Sequence, residues 1–276
     1  MSLNRPIWKL RDWIDMNDLD WDMLSFNTRA IKLLEENPEK INWDYLSLNE
    51  NAIGILEKNP DKIEWEMLSL NKNAIKLLEK QRDKIDWIDF SENRNVNCLL
   101  EEKLLEERDD IYWSNLSNNP NAIKILEANP KKIDWKHLSL NENAIHLLEK
   151  NLKKINWSNL SRNKNAIKLL EENMDKIDWK QLSENVNAIK LLEENMEKID
   201  WKQLSLNENA IKLLFEQRDK IDWYYLSANP AIFELDYKKM KENNQEMYEE
   251  LIKEVMKPSR VFKNPDYDYL EELFGD

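Results

Sequence analysis

Asn119-Pro120-Asn121-Ala122-Ile123-Lys124-Ile125-Leu126-Glu127-Ala128-Asn129-Pro130-Lys131-Lys132-Ile133-Asp134-Trp135-Lys136-His137-Leu138-Ser139 is one copy of a phrase that fills most of the chain. Its Trp recurs at 21, 43, 65, 87, 113, 135, 157, 179, 201 and 223, in steps of 22 residues with one step of 26. A fixed short period signals a repeat architecture, in which neighbouring units supply each other's core. Counted from each Trp, Ser stands at position 5 and Asn at position 7 in all ten copies. Leu or Phe90 stands at position 4, and Ala, Ile, Leu and Leu usually occupy 10, 11, 13 and 14.

The phrase predicts two short helices per copy. Asp at position 22, as in Asp134, Asp178, Asp200 and Asp222, precedes Trp and suits an N-cap. Helix A then places Trp and Leu three apart on one face. Asn at position 7 caps helix B, and Asn119-Pro120 has the form of an N-cap followed by proline at the first helical position. Helix B carries Ala144, Ile145, Leu147 and Leu148 as an apolar face with helical spacing. Its end is marked by Asn37-Pro38, Asn59-Pro60 and Asn129-Pro130. Neither helix is long enough to persist alone, so stacking must hold them. A leucine-rich repeat of similar period would need a strand of alternating Leu, which Ala-Ile-Lys-Leu-Leu-Glu does not provide.

The expected fold is therefore all-α, an α-solenoid of about ten 22-residue two-helix repeats with helical N- and C-terminal caps. The N-terminal cap is placed at 1–20, the repeat array at 21–227 and the C-terminal cap at 228–276. Helices packed about 8–10 Å apart would give a rod or superhelix about 80–100 Å long. The step of 26 residues places an insertion of one helical turn around 97–108.

Composition supports a helical chain: 276 residues, 34% charged, with only 2 Gly and 8 Pro. The single cysteine, Cys98, excludes an intramolecular disulfide framework. No apolar run reaches the roughly 20 residues that span a bilayer, and the first residues lack a secretory signal core. The expectation is a chain that is neither secreted nor held in a membrane. A net charge of −13 argues against a general phosphate-backbone binder.

No residue set reads as a catalytic centre, and neither a metal nor a cofactor is expected. His137 and His146 lie in different helices with no third ligand at a credible spacing. The Trp series could stack nucleic-acid bases, but its apolar flanks point to a place in the core. The unvarying Ser and Asn positions suit capping and bonding between successive turns, since a base-reading row would vary. Lys recurs at position 20 and at position 12, where His146 is one departure. Glu lies three residues after most position-12 lysines, a spacing of ordinary surface pairs. If these rows meet a partner, the residues concerned are Lys76, Lys124, His146, Lys168, Lys190 and Lys212.

The units Asn119–Ser139 and Asn163–Ser183 resemble repeats of the form Asn-Pro-Asn-Ala-Ile…Leu-Leu-Glu…Asn-Pro…Lys-Ile-Asp-Trp…Leu-Ser in uncharacterised proteins of mimivirus-like giant DNA viruses. Trp8-Lys9-Leu10-Arg11-Asp12-Trp13-Ile14-Asp15 resembles their lead-in, and Asn229-Pro230-Ala231-Ile232-Phe233-Glu234-Leu235-Asp236-Tyr237 their ending. The chain departs from the phrase at Arg82, Leu152, Met174, Met196 and Arg218, where it has Pro. The resemblance implies a viral origin and a setting in the host cytoplasm, the viral factory or the virion. It carries no activity with it. The expected function is a non-enzymatic scaffold for protein–protein interaction, with specificity set by the exposed, variable positions 2, 3, 6, 8 and 16. The alternatives are a nucleic-acid-binding solenoid that uses the lysine rows, or a viral structural protein that self-associates.

Overall fold

The computed structural model describes residues 6–95 and 112–255. The insertion expected around 97–108 lies outside the described residues. Two compact units divide the chain: Arg11–Phe233, which holds the repeats, and Met1–Leu10 with Glu234–Asp276. The strand Trp8–Leu10 pairs with the strand Phe233–Leu235, which starts on the last residue of the first unit and runs into the second. There Lys9 Nζ lies 3.0 Å from Glu234 Oε1, and a helix follows over Tyr237–Val255. Among the described residues, no helix is long and apolar enough to cross a membrane.

The first unit is the all-α repeat array that the phrase predicts, with one more element in most copies than expected. In the second copy, helix A is Trp43–Leu48, helix B is Ile53–Lys58, and a 3-10 turn covers Pro60–Lys62. Helix A begins where the sequence says it should: Asp134 Oδ1 accepts from the His137 N–H, and Asp200 Oδ1 from that of Gln203. Helix B ends at the expected Asn, whose side chain reaches back one turn. Asn59 Nδ2, for example, donates to Ile55 O at 2.9 Å. The proline at position 18 then starts the 3-10 turn, where its fixed φ and missing N–H cost nothing.

The core is a repeating set of fully buried apolar side chains, Leu46, Ala52 and Leu56 in the second copy and Leu160, Ala166 and Leu170 in the seventh. With it are buried the invariant Ser and Asn of positions 5 and 7, each 0–3% exposed. They are satisfied by a ladder. Each Asn Nδ2 donates to two carbonyls of the preceding copy, at positions 5 and 7, over 2.8–3.1 Å. Its Oδ1 accepts from the backbone two residues on, as Asn141 Oδ1 does from Asn143. Each Ser Oγ donates to the Trp carbonyl four residues back. In nine of the ten copies it also accepts from the N–H that precedes the next Trp, as Ser139 does from Asn156.

The expected open rod is corrected by the same bonds. Asn27, in the first copy, donates to Ser227 O at 2.9 Å and Asn229 O at 3.0 Å, in the tenth. Asp20 N–H donates to Ser227 Oγ at 2.8 Å. Helix A of the last copy, Trp223–Ala228, packs on Trp21–Phe26 as closely as that helix packs on Trp43–Leu48. The ten copies therefore close into a ring, and the length expected of a rod becomes a circumference.

Wedge geometry explains the closure. Successive A helices pack directly, while successive B helices meet less closely, so each copy is narrower on its A side. Shared among ten copies, a full circle needs about 36° of turn per copy, the small rotation that sets solenoid curvature. At about 8–10 Å between helices the ring would be roughly 25–30 Å across at the A helices.

The seam carries its own additions. At position 9 most copies have an Asn that donates to the position-8 carbonyl of the preceding copy, as Asn165 does to Glu142 O. The first copy has Arg29 instead, and its Nη1 reaches Pro230 O at 3.2 Å. Arg11 donates from its backbone to Ile232 O and from Nε to Ala231 O. Trp13 lies edge-on to Phe215 with centroids 5.5 Å apart, under the Arg218 guanidinium.

Candidate interaction surface of the ring

Positions 6 and 8 flank the buried Asn of position 7, so their side chains have to leave the core on the side of the A helices. That side is the opening of the ring. One cavity of ≈ 610 Å³ is walled by Phe26 and Leu48 from the first two copies together with Val186, Leu206 and Pro230 from the last three. A second, of ≈ 460 Å³, is walled by Arg94, Glu142, Arg162 and Lys164 from the intervening copies. Glu184, Val186 and Glu208 line both.

The two arcs differ in chemistry. The second holds a network of charges: Glu142 takes Arg94 Nη2 at 2.9 Å and Lys164 Nζ at 2.7 Å, and Arg162 Nη2 meets Glu184 at 3.0 Å. Arg94 and Glu142 are two copies apart, so that pair bridges the copy between them. The first arc is mostly apolar. Position 3 repeats the division, with Met23, Tyr45, Met67 and Tyr225 on the copies around the seam and Asp89, Asn115, His137, Asn159, Gln181 and Gln203 on the others. The Tyr45 and Tyr224 side chains are hydrogen-bonded across the copy between them, which pushes the Tyr224 phenol above its usual range.

Sequence reasoning singled out a different row, and the structure places it away from the opening. Lys76, Lys124, His146, Lys168, Lys190 and Lys212 are all exposed on B helices, and none lines either cavity. His146 Nε2 lies 3.1 Å from Glu127, in the preceding copy. The pairs expected with Glu three residues on are replaced, where seen, by pairs four residues on. Lys32–Glu36 stand 3.8 Å apart and Lys190–Glu194 4.0 Å.

The position-20 lysines are not a free stripe. Lys40, Lys62, Lys84, Lys132, Lys154, Lys176, Lys198 and Lys220 each hold Nζ 4.3–5.8 Å from the ring centre of their own copy's Trp. This corrects the place given to Trp and weighs further against base stacking. The Trp rings are half-buried rather than fully within the core, and a cation covers a face that a nucleobase would need. The clue was present in the sequence as the constant spacing between Trp and Lys, but only the 3-10 turn brings the two together.

His137 Nδ1 lies 3.2 Å from Asp134 Oδ1, outside hydrogen-bond geometry. Burial pushes the Asp134 carboxyl up, but the His137 backbone N–H and side chain outweigh it and hold it below its usual range. Among the described residues, no group of His, Cys, Asp and Glu could hold a metal ion. Compared with protein-family models, curated proteins and solved structures, the chain matches none.

Proposed function

We propose that this protein is a non-enzymatic ring scaffold that binds protein partners on the lining of its opening. The observation behind this reading is the contrast within one loop. Ser at position 5 and Asn at position 7 do not vary, whereas the side chains between and beyond them, at 6 and 8, change from copy to copy. Positions that only had to hold the ring together would repeat as the ladder does. Repeat arrays use such a frame to present long surfaces whose variable residues set specificity. The resemblance to giant-virus repeat proteins supports a viral protein acting in a host cell. The engagement of the position-20 lysines with Trp, and the acidic balance, weigh against nucleic acid as the partner.

A photo-crosslinking residue placed at Leu206 or Arg162 in the opening, and at Lys124 outside it, tests the proposal in host-cell extract. Protein adducts from the lining positions and none from Lys124 are the expected result. Adducts only from Lys124 would return the binding face to the outer lysine row. If only copies of the chain crosslink to one another, the protein is a self-assembling structural component.

A further inference from the structure

We propose that the opening of the ring receives an amphipathic α-helix of a partner protein, with its apolar stripe toward the arc around the seam and its polar face toward the ion-paired arc. The inference rests on the protein-binding reading above and names the form of the partner.

Width selects a slim element. A ring about 25–30 Å across at the axes of its A helices loses about 10–12 Å to the bodies of the two facing helices. About 15–20 Å then remains between opposite walls. A helix about 10–12 Å in diameter fits that gap. A folded domain of about 100 residues, with a radius of gyration of about 13 Å, does not.

Backbone chemistry selects a helix over a strand. An extended segment buried in the opening brings N–H and C=O groups that need partners from the wall. The wall's own groups are largely engaged. The carbonyls of positions 5 and 7 accept from the Asn of the next copy. Those of position 8 accept from the Asn at position 9 of the next copy in most cases. The N–H groups of positions 7 and 9 are bonded as well, as Asn141 is to Leu138 O and Asn143 to Asn141 Oδ1. A helix keeps its backbone bonds to itself and asks the wall for side-chain contacts.

The wall has two faces for such a helix. The apolar arc gathers Phe26, Leu48, Val186, Leu206 and Pro230 from five copies that ring closure makes neighbours, and Phe26 is still 41% exposed. The ≈ 610 Å³ they enclose has room for a few large side chains. Charge there is mostly cancelled: Glu50 pairs with Lys72, Glu184 with Arg162, and Lys202 Nζ lies 4.7 Å from the centre of the Tyr225 ring. An uncharged apolar stripe therefore fits this arc better than a stripe of either sign. The other arc presents both signs side by side in Arg94, Glu142, Arg162 and Lys164. An apolar stripe along one side and polar residues along the other is what a helix of period 3.6 displays.

Selection of a random displayed peptide library against the full chain tests this. The expected result is enrichment of peptides with large apolar residues at i, i+3, i+4 and i+7 and no shared charge. Circular dichroism should show helix gained on binding, and a proline in the middle of the peptide should abolish it. Affinity should fall about tenfold with Phe26→Glu or Leu206→Glu in the opening and stay unchanged with Lys124→Glu outside it. Thermal melting of each variant confirms a folded ring. Enriched peptides whose apolar residues alternate, that tolerate the proline, or that bind both lining variants as well as the parent overturn the inference. If no helical binder emerges while Leu206 still crosslinks to host proteins, the helix is wrong and the protein-binding reading stands. If neither is seen, both fall.

Discussion

Asn141 has no exposed surface, and all three of its side-chain hydrogen bonds go to backbone. Replacing it with Ala would leave the Ser117 carbonyl and the Asn143 N–H without this partner, and the Asn119 carbonyl with only the Ala122 N–H. Asn141→Ala is expected to lower unfolding free energy by about 2–4 kcal/mol, read by chemical denaturation. Asn141→Asp puts a carboxylate against two carbonyl oxygens, so its loss should be larger near neutral pH and partly relieved in acid, where the group takes up a proton. Asp89 is a natural case of the same sign. Its folded carboxyl sits above the ordinary 3.8 because burial and neighbouring carboxylates disfavour the charge. The stability tied to its protonated form is present below 3.8 and is lost as pH rises through the raised value. Asp89→Asn should therefore raise the melting temperature at neutral pH, with the advantage vanishing in acid. The ladder residues could be read from the sequence because they never vary. Asp89 could not, since Glu66 belongs to the preceding copy.

Helices of four to six residues do not survive alone, and a side chain marks only one end of most of those here. Asp or Asn starts helix A in most copies, and Asn at position 17 closes most B helices. Those signals were legible because capping is local. Gly54 departs from the pattern inside helix B of the second copy, Ile53–Lys58, and a Cβ there would meet nothing within 4 Å. Gly54→Ala should stabilise the ring by about 0.5–1 kcal/mol through lost unfolded-state entropy and better helix propensity, measured by denaturant titration. The 3-10 turn was missed. Its residues at positions 18–20 carry no apolar period, and what holds them is tertiary: the Lys at position 20 laid over the Trp ring.

Closure makes the number of copies a structural quantity. An open solenoid loses stability step by step when a repeat is removed, because each unit contacts only its neighbours. A ring set for ten cannot lose one without opening its seam or straining every ladder bond. Deleting residues 157–178, one full copy, should therefore cost far more than one repeat's share. The seam surfaces of the first and last copies would also be freed to pair between chains. Light scattering should show association that the parent chain lacks, alongside a lower melting temperature. A monodisperse monomer losing stability only in proportion would mean the seam contributes little.

By itself the sequence determined the period, the helical class, the Asp or Asn cap of helix A and the buried Ser and Asn, because each depends on residues within one copy or between adjacent copies; the cap expected of Asn at position 7 is corrected, since helix B starts after Ala at position 10 with no side-chain cap and the Asn bonds the turn before it. The tertiary structure decided the rest. Whether ten wedges add up to a circle depends on the difference in spacing between A and B helices, a quantity too small for any single copy to reveal. That sum places Asn27 against Ser227 and makes one apolar sector from the two ends of the repeat array. It also separates positions 6 and 8, which line the opening, from the other variable positions and from the lysine rows, since a side chain's exposure in one repeat does not say whether it faces the outside of a ring or its opening.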